Sequence, residues 1–173
     1  TLVQVDAHLY WRDERGGVPE GYSSPMRRAA EMDHIDKLFQ LGLRAQGSAR
    51  AGEVEAAQDY GANLVTDREL QARGMQSILN DIPDGGTYYL TIDADGMDPA
   101  IMPAVAGPAP CGVTYLQVLE LIHGLSAKGR FIGMDIVEIT PKRDLNEITC
   151  ITAGQLMQNF IGLQARKKLI RDS

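Results

Sequence analysis

Thr87-Tyr88-Tyr89-Leu90-Thr91-Ile92-Asp93-Ala94-Asp95-Gly96-Met97-Asp98-Pro99 runs from an apolar strand straight into three carboxylates and a proline. Residues two apart on a strand share a face, so Asp93 and Asp95 project together, with Asp98 on the loop beyond. Carboxylates that close repel one another unless a proton or a cation sits between them. A hard divalent ion satisfies this stretch; so does a solvated acidic turn in which aspartate caps a loop. The same strand-to-carboxylate design recurs at the start of the chain. Leu2-Val3-Gln4-Val5-Asp6 leads into Ala7-His8, and Asp6 and His8 repeat the two-residue spacing of Asp93 and Asp95.

Between these strand ends the sequence alternates helix and strand. Helices are expected over 25–32, 51–60, 67 to about 79–82, 115 to about 125 and 147–170. Strands are expected over 2–6, 38–43, 62–66, 87–93 and 130–140, the last carrying Asp135 and Glu138. Ser23 or Ser24 precedes Pro25 at one helix start, Asp67 caps the third helix, and Gly61 closes the second. The strands read as near-continuous apolar runs. That is the pattern of a mostly parallel sheet covered by helices on both faces, a three-layer α/β/α fold. Sites in such sheets form at the carboxyl ends of the strands. Here those ends carry Asp6, Asp93 and Glu138 with one imidazole, His8, among them. Carboxylates with a single histidine suit Mn²⁺ before Zn²⁺.

The chain has 173 residues, 44% hydrophobic and 23% charged, and is expected to form one domain over 1–173. No apolar run approaches the roughly 20 residues that span a bilayer. A net charge of −6 argues against nucleic acid and suits a cationic ligand. Cys111 and Cys150 make no disulfide framework, so a reducing cytoplasm is expected.

The ordered set of motifs resembles the ureohydrolases, the family of arginase, agmatinase, guanidinobutyrase and proclavaminate amidinohydrolase. The resemblance rests on Asp6-Ala7-His8, on Asp93 to Pro99, on Pro108-Ala109-Pro110-Cys111-Gly112-Val113-Thr114-Tyr115 and on Met134-Asp135-Ile136-Val137-Glu138-Ile139-Thr140-Pro141. Ser23-Ser24-Pro25-Met26-Arg27-Arg28-Ala29 and Thr152-Ala153-Gly154 are closer to the agmatinase branch. The resemblance implies an arginase/deacetylase-like fold and a two-manganese site that hydrolyses a small guanidino compound to an amine and urea. By motif position, Asp6 and Asp93 match carboxylates bridging both metals, and His8 and Asp95 match terminal ligands of one. Glu138 matches the acid that receives the guanidinium, and Asp98 a residue that fixes the loop.

The chain departs from this pattern at the second metal. Tyr10 stands where the family has a further aspartate, and no Gly-Gly-Asp-His motif supplies an upstream histidine. A phenol that stays protonated is a poor ligand, so one Mn²⁺ or none is expected. Glu20 stands near the place of a loop histidine, and Cys111 where glycine is usual. The N-terminal portion of the family fold is missing. The strand at Leu2 is therefore expected to leave an edge or face open, to be covered in a homo-oligomer. Two further readings follow: a degenerate homologue that acts as a binding or assembly module, and a split enzyme completed by another chain.

Glu138, in a strand expected to be buried, needs a partner; Asp135 receives no ligand role. Tyr10-Trp11 reads as packing, His34 and His123 as surface residues, and Arg27 and Arg28 as a solvated helix face or salt-bridge partners.

Overall fold

Apolar side chains in β1 (Leu2–Val5) point alternately to two different cores. Val3 and Val5 enter one, and Leu2 enters the other, because successive residues of a strand face opposite sides of the sheet. A strand buried on both faces is the mark of a parallel sheet between helical layers. The computed structural model, which describes residues 1–171, has this architecture. The last two residues of the expected 1–173 domain lie outside the described residues.

Strands β2 (Leu38–Leu43), β3 (Asn63–Thr66), β4 (Thr87–Asp93) and β5 (Arg130–Val137) join β1 in one parallel sheet of order β3-β2-β1-β4-β5. The chain winds outward from β1 to β3, returns to lay β4 against the other side of β1, and continues outward to β5. The direction of winding reverses between β1 and β4, and ligands in open sheets bind at such a reversal.

One core packs Leu70 of α3 (Asp67–Arg73), Ile78 of α4 (Met75–Asp81), Leu121 of α5 (Tyr115–Lys128) and Leu156 of α6 (Ile148–Arg171) against Val3, Leu41 and Leu90. The opposite core sets Met26 of α1 (Pro25–Ala30), Ala57 of α2 (Ala51–Tyr60) and Trp11 against Leu2 and Leu38. Helix α5 starts where the sequence places it, since Thr114 and Gln117 form a capping box.

Four expectations are corrected. The single helix from Asp67 is two, broken at Gly74, whose φ of +77° an L side chain rarely adopts. Its cap is Thr66, whose hydroxyl accepts from the Glu69 amide at 3.2 Å; Asp67 is already the first helical residue. The strand at Leu2 is no edge but the centre of the sheet, with all four residues buried. The outer strands are β3 and β5, so the proposed reason for self-association through β1 falls away. Finally, β5 ends at Val137, one residue before Glu138.

Candidate metal centre

Val5 pairs with Ile92, so Asp6 and Asp93 emerge side by side where the winding reverses. Each strand end turns in the same way. The Asp6 carboxylate accepts from the His8 amide at 2.7 Å, and the Asp93 carboxylate accepts from the Asp95 amide at 2.9 Å. These are Asx turns, in which an aspartate bonds backbone two residues on. They explain why Asp-Ala-His and Asp-Ala-Asp share a spacing: the first aspartate folds the loop that presents the second ligand. The two loops touch through Gly96. A Cβ there would lie 2.6 Å from the Asp6 amide nitrogen, so only glycine lets them approach.

His8 Nδ1 lies 3.2 Å from the Asp95 carboxylate and 3.5 Å from that of Asp6. One donor atom each from Asp6, His8 and Asp95 falls within 4.8 Å of the others. Among the described residues, this is the one group of three or more acidic, histidine or cysteine side chains close enough to share an ion. Asp93 is adjacent and buried, but its carboxylate is engaged by the Asp95 amide and by the Tyr10 hydroxyl, which donates to Oδ2 at 3.3 Å. Of the four sequence-derived ligand candidates, the fold thus gathers three around one point and holds the fourth beside them.

Burial sets the electrostatics. It pushes Asp6 up to about 7, and the neighbouring Asp95 charge adds to the rise while His8 opposes it. Asp93 is pushed up to about 8 by burial and then by the charges of Asp6 and Asp95. His8 rises to about 10 because its ring bonds to Asp6 and to Asp95. Tyr10 is driven upward by burial and by the surrounding carboxylates, so its phenol stays protonated and serves as a donor. The cluster thus neutralises its own charge with protons. A cation held by the same carboxylates and imidazole would do so in their place, and the donor set fits one ion of the Mn²⁺ type.

Residues beneath the cluster carry no motif signal. Gln4 donates to Asp6 Oδ2 at 2.6 Å, and Gln40 donates to Gln4 Oε1 and to the Leu9 carbonyl, each at 2.7 Å. Both glutamines are buried, and Gln4 stands two residues before Asp6 on the same strand face. That phase was the available clue: a polar residue at a buried strand position needs a partner.

Glu138 is exposed rather than buried within a strand, so the sequence-based reason for assigning it a partner fails. Its placement carries the interest instead. With His8, Tyr10 and Asp95 it lines a cavity of about 380 Å³, and its φ of +62° is uncommon for a residue with a side chain. Such strained backbone gathers at functional sites. Asp98 behaves as a loop-fixing residue, its carboxylate accepting from the Ala100 amide at 2.8 Å. Asp135 accepts from the Tyr89 and Thr91 hydroxyls, each at 2.7 Å, and lies within the sheet. Trp11 is packing, as expected, but Tyr10 joins the site. His34, His123 and Glu20 are exposed. Arg27 and Arg28 pair with Asp13 and Glu31. Cys111 has φ +64°, a left-handed conformation that favours glycine.

The model of the arginase family matches residues 1–162. Guanidinobutyrase of Pseudomonas aeruginosa is 32% identical over 165 residues, covering 92% of this chain and 51% of that protein. N(1)-aminopropylagmatine ureohydrolase of Thermus thermophilus is 30% identical over 166 residues, covering 95% and 54%. Among solved structures, agmatine ureohydrolase of Thermoplasma volcanium superposes with a TM-score of 0.80 at 28% identity, covering 99% of this chain and 56% of that one. Proclavaminate amidino hydrolase of Streptomyces clavuligerus gives 0.85 at 26%, covering 96% and 56%. The chain spans about half the length of the curated relatives it matches. A match that runs through nearly every strand and helix, on a fold shared with solved ureohydrolases, establishes that the chain belongs to the arginase family, in its agmatinase-like part.

Proposed function

We propose that this chain carries the metal centre of an agmatinase-like amidino hydrolase, acting on a guanidino compound and water to give an amine and urea. The observation that carries this reading is the convergence of Asp6, His8 and Asp95 on one point in the wall of a cavity that Glu138 also lines. Asp6, His8 and Asp95 would hold Mn²⁺, with the Asp93 carboxylate beside them as a further ligand. When bound, such an ion supplies Lewis-acid activation of water for attack on a planar carbon. The chain's own residues do the rest. Glu138 pairs with the cationic guanidinium, a planar group suited to two parallel hydrogen bonds to a carboxylate. Gln4 and the His8 amide hold Asp6 from two sides, and the Asp95 amide holds Asp93. Tyr10 and Trp11 line one wall of the cavity.

One observation favours the second reading, a degenerate relative with at most one ion and little or no hydrolysis, acting as a binding or assembly module. The Tyr10 hydroxyl occupies Asp93 Oδ2, where a further metal would need a free oxygen. Exposed thiols at Cys111 and Cys150 fit a reducing cytoplasm, and the negative charge fits a cationic substrate rather than nucleic acid. A homo-oligomer remains part of the proposal, with the outer strands β3 and β5 rather than β1 as the open edges of the sheet. No helix among the described residues is long and apolar enough to cross a membrane.

Manganese loading followed by a urea-release assay with agmatine, guanidinobutyrate and arginine tests the reading. Urea release that disappears in Glu138→Gln and is retained in a control substitution away from the cavity supports the hydrolase. Uptake of at most one ion without urea supports the degenerate homologue, and failure to take up any ion removes the hydrolase.

A further inference from the structure

Arg44 leaves the end of β2 on the same sheet edge as Asp6 and Asp93, but its side chain serves backbone rather than carboxylates. Nε donates to the Pro110 carbonyl at 2.9 Å, and Nη1 to the carbonyls of Gly42 at 3.2 Å and Gly96 at 3.1 Å. Nη2 donates to the carbonyls of Asp95 at 2.7 Å and of Met97 and Ala109 at 3.1 Å. Its own amide and that of Ala45 donate to the Ala7 carbonyl, each at 3.0 Å. One residue therefore ties together the turn between Asp6 and His8, the loop carrying Asp95 and the segment at Ala109–Pro110. Gly112 is cleared for it: a Cβ there would lie 2.7 Å from Nη2.

We propose that Arg44 is a positioning residue, which holds the Asp95 loop and the Ala7 turn in the geometry that a divalent cation requires before any cation arrives. The inference rests on the metal reading of the site. Its physical basis is the shape of the guanidinium, a rigid planar fork of five N–H donors without an acceptor. Carbonyls that would otherwise diverge are drawn around one plane, and a fixed positive charge sits behind the carboxylates. Lysine, a single compact ammonium with three donors, reaches only part of this set.

The test combines two measurements on the full chain. Mn²⁺ affinity is read from the electron paramagnetic resonance of free Mn²⁺, at a temperature where circular dichroism shows each variant folded. Amide hydrogen exchange is followed on the metal-free protein. Arg44→Ala is expected to weaken Mn²⁺ binding about 10–100-fold, the usual loss on removing a group that orients ligands, with Arg44→Lys between it and wild type. Exchange should accelerate at residues 93–97 and 109–113 and stay unchanged in β3 and α2. Mn²⁺ affinity within about twofold of wild type, or exchange that rises evenly along the chain, overturns the proposal and leaves Arg44 an ordinary stabilising contact. If wild type takes up no Mn²⁺, the metal reading fails by itself. Hydrogen exchange then decides alone, local acceleration sustaining the clamp and a uniform rise removing it. If Arg44→Ala does not fold, Arg44→Lys against wild type carries the same two comparisons.

Discussion

Tyr10→Asp would place a carboxylate at the position to which the resemblance to the ureohydrolases assigns a further aspartate. Tyr10 sits at φ +50°, a region where aspartate is several-fold enriched and tyrosine is not, so the backbone accepts the change. The substitution removes the hydroxyl that donates to Asp93 Oδ2 at 3.3 Å and adds an anion near Asp93 and Asp6. Two unit charges about 4 Å apart interact by about 4 kcal/mol at an effective dielectric constant of about 20. For a chain of this size about 1 kcal/mol moves Tm by about 2–4 °C, which puts the ceiling on metal-free destabilisation at about 8–16 °C. Asp93, raised to about 8, takes up a proton at neutral pH and keeps the observed drop below that ceiling. A second Mn²⁺ reverses the sign of the added interaction. At 100 times its Kd it restores about 2.7 kcal/mol, or about 5–11 °C. Thermal melts with and without Mn²⁺, with metal stoichiometry measured after gel filtration, provide the assay. Wild type should hold one ion and the variant two, with the larger Mn²⁺-dependent rise in Tm in the variant. A wild type that binds two ions, or a variant that still binds one with an unchanged rise, refutes the idea that Tyr10 closes the second position.

The other expectations are narrower. In the metal-free protein, His8, Asp6 and Asp93 all have folded pKa values above their unfolded ones, at about 10, 7 and 8. Each then stabilises the fold most at low pH and loses that contribution as pH rises through its folded value. Metal-free Tm should therefore fall from about pH 4, where the unfolded aspartates ionise, to about pH 10, the folded value of His8, while the Mn²⁺-induced rise grows, because the ion displaces protons; a metal-free Tm that climbs over this window contradicts the assignment. Gln4→Ala strips Asp6 Oδ2 of its 2.6 Å donor and leaves Gln40 with the Leu9 carbonyl alone of its two acceptors, for a loss of about 1–3 kcal/mol by urea denaturation. Gly96→Ala drives a Cβ to 2.6 Å from the Asp6 amide and should destabilise by about 1–3 kcal/mol while weakening Mn²⁺ uptake; full Mn²⁺ affinity would show that the two loops move apart freely. Leu121→Ala, fully buried under the sheet, should lower stability by about 2–5 kcal/mol without changing metal stoichiometry.

Local chemistry made much of this protein legible in one dimension. Apolar runs of strand length, alternating with capped amphipathic stretches, point to a mostly parallel α/β sheet, because helices that cross between successive strands cover both faces of the sheet. Asp6, His8, Asp93 and Asp95 could be named because period-2 spacing at a strand end is a local property. Sequence order, in contrast, says nothing of lateral order. That β1 is central rather than an edge, and that Asp6 and Asp93 meet where the winding reverses, follow from how the strands stack. Tertiary contact alone decided that Tyr10 bonds Asp93, that Gln4 and Gln40 hold Asp6 from below, and that Arg44 gathers carbonyls far apart in the chain. It also moved Glu138 out of a strand interior and onto a strained turn in the cavity wall. Hydrogen-bond partners distant in sequence leave no periodic trace, so a polar residue can be recognised as needing a partner long before the fold reveals which one.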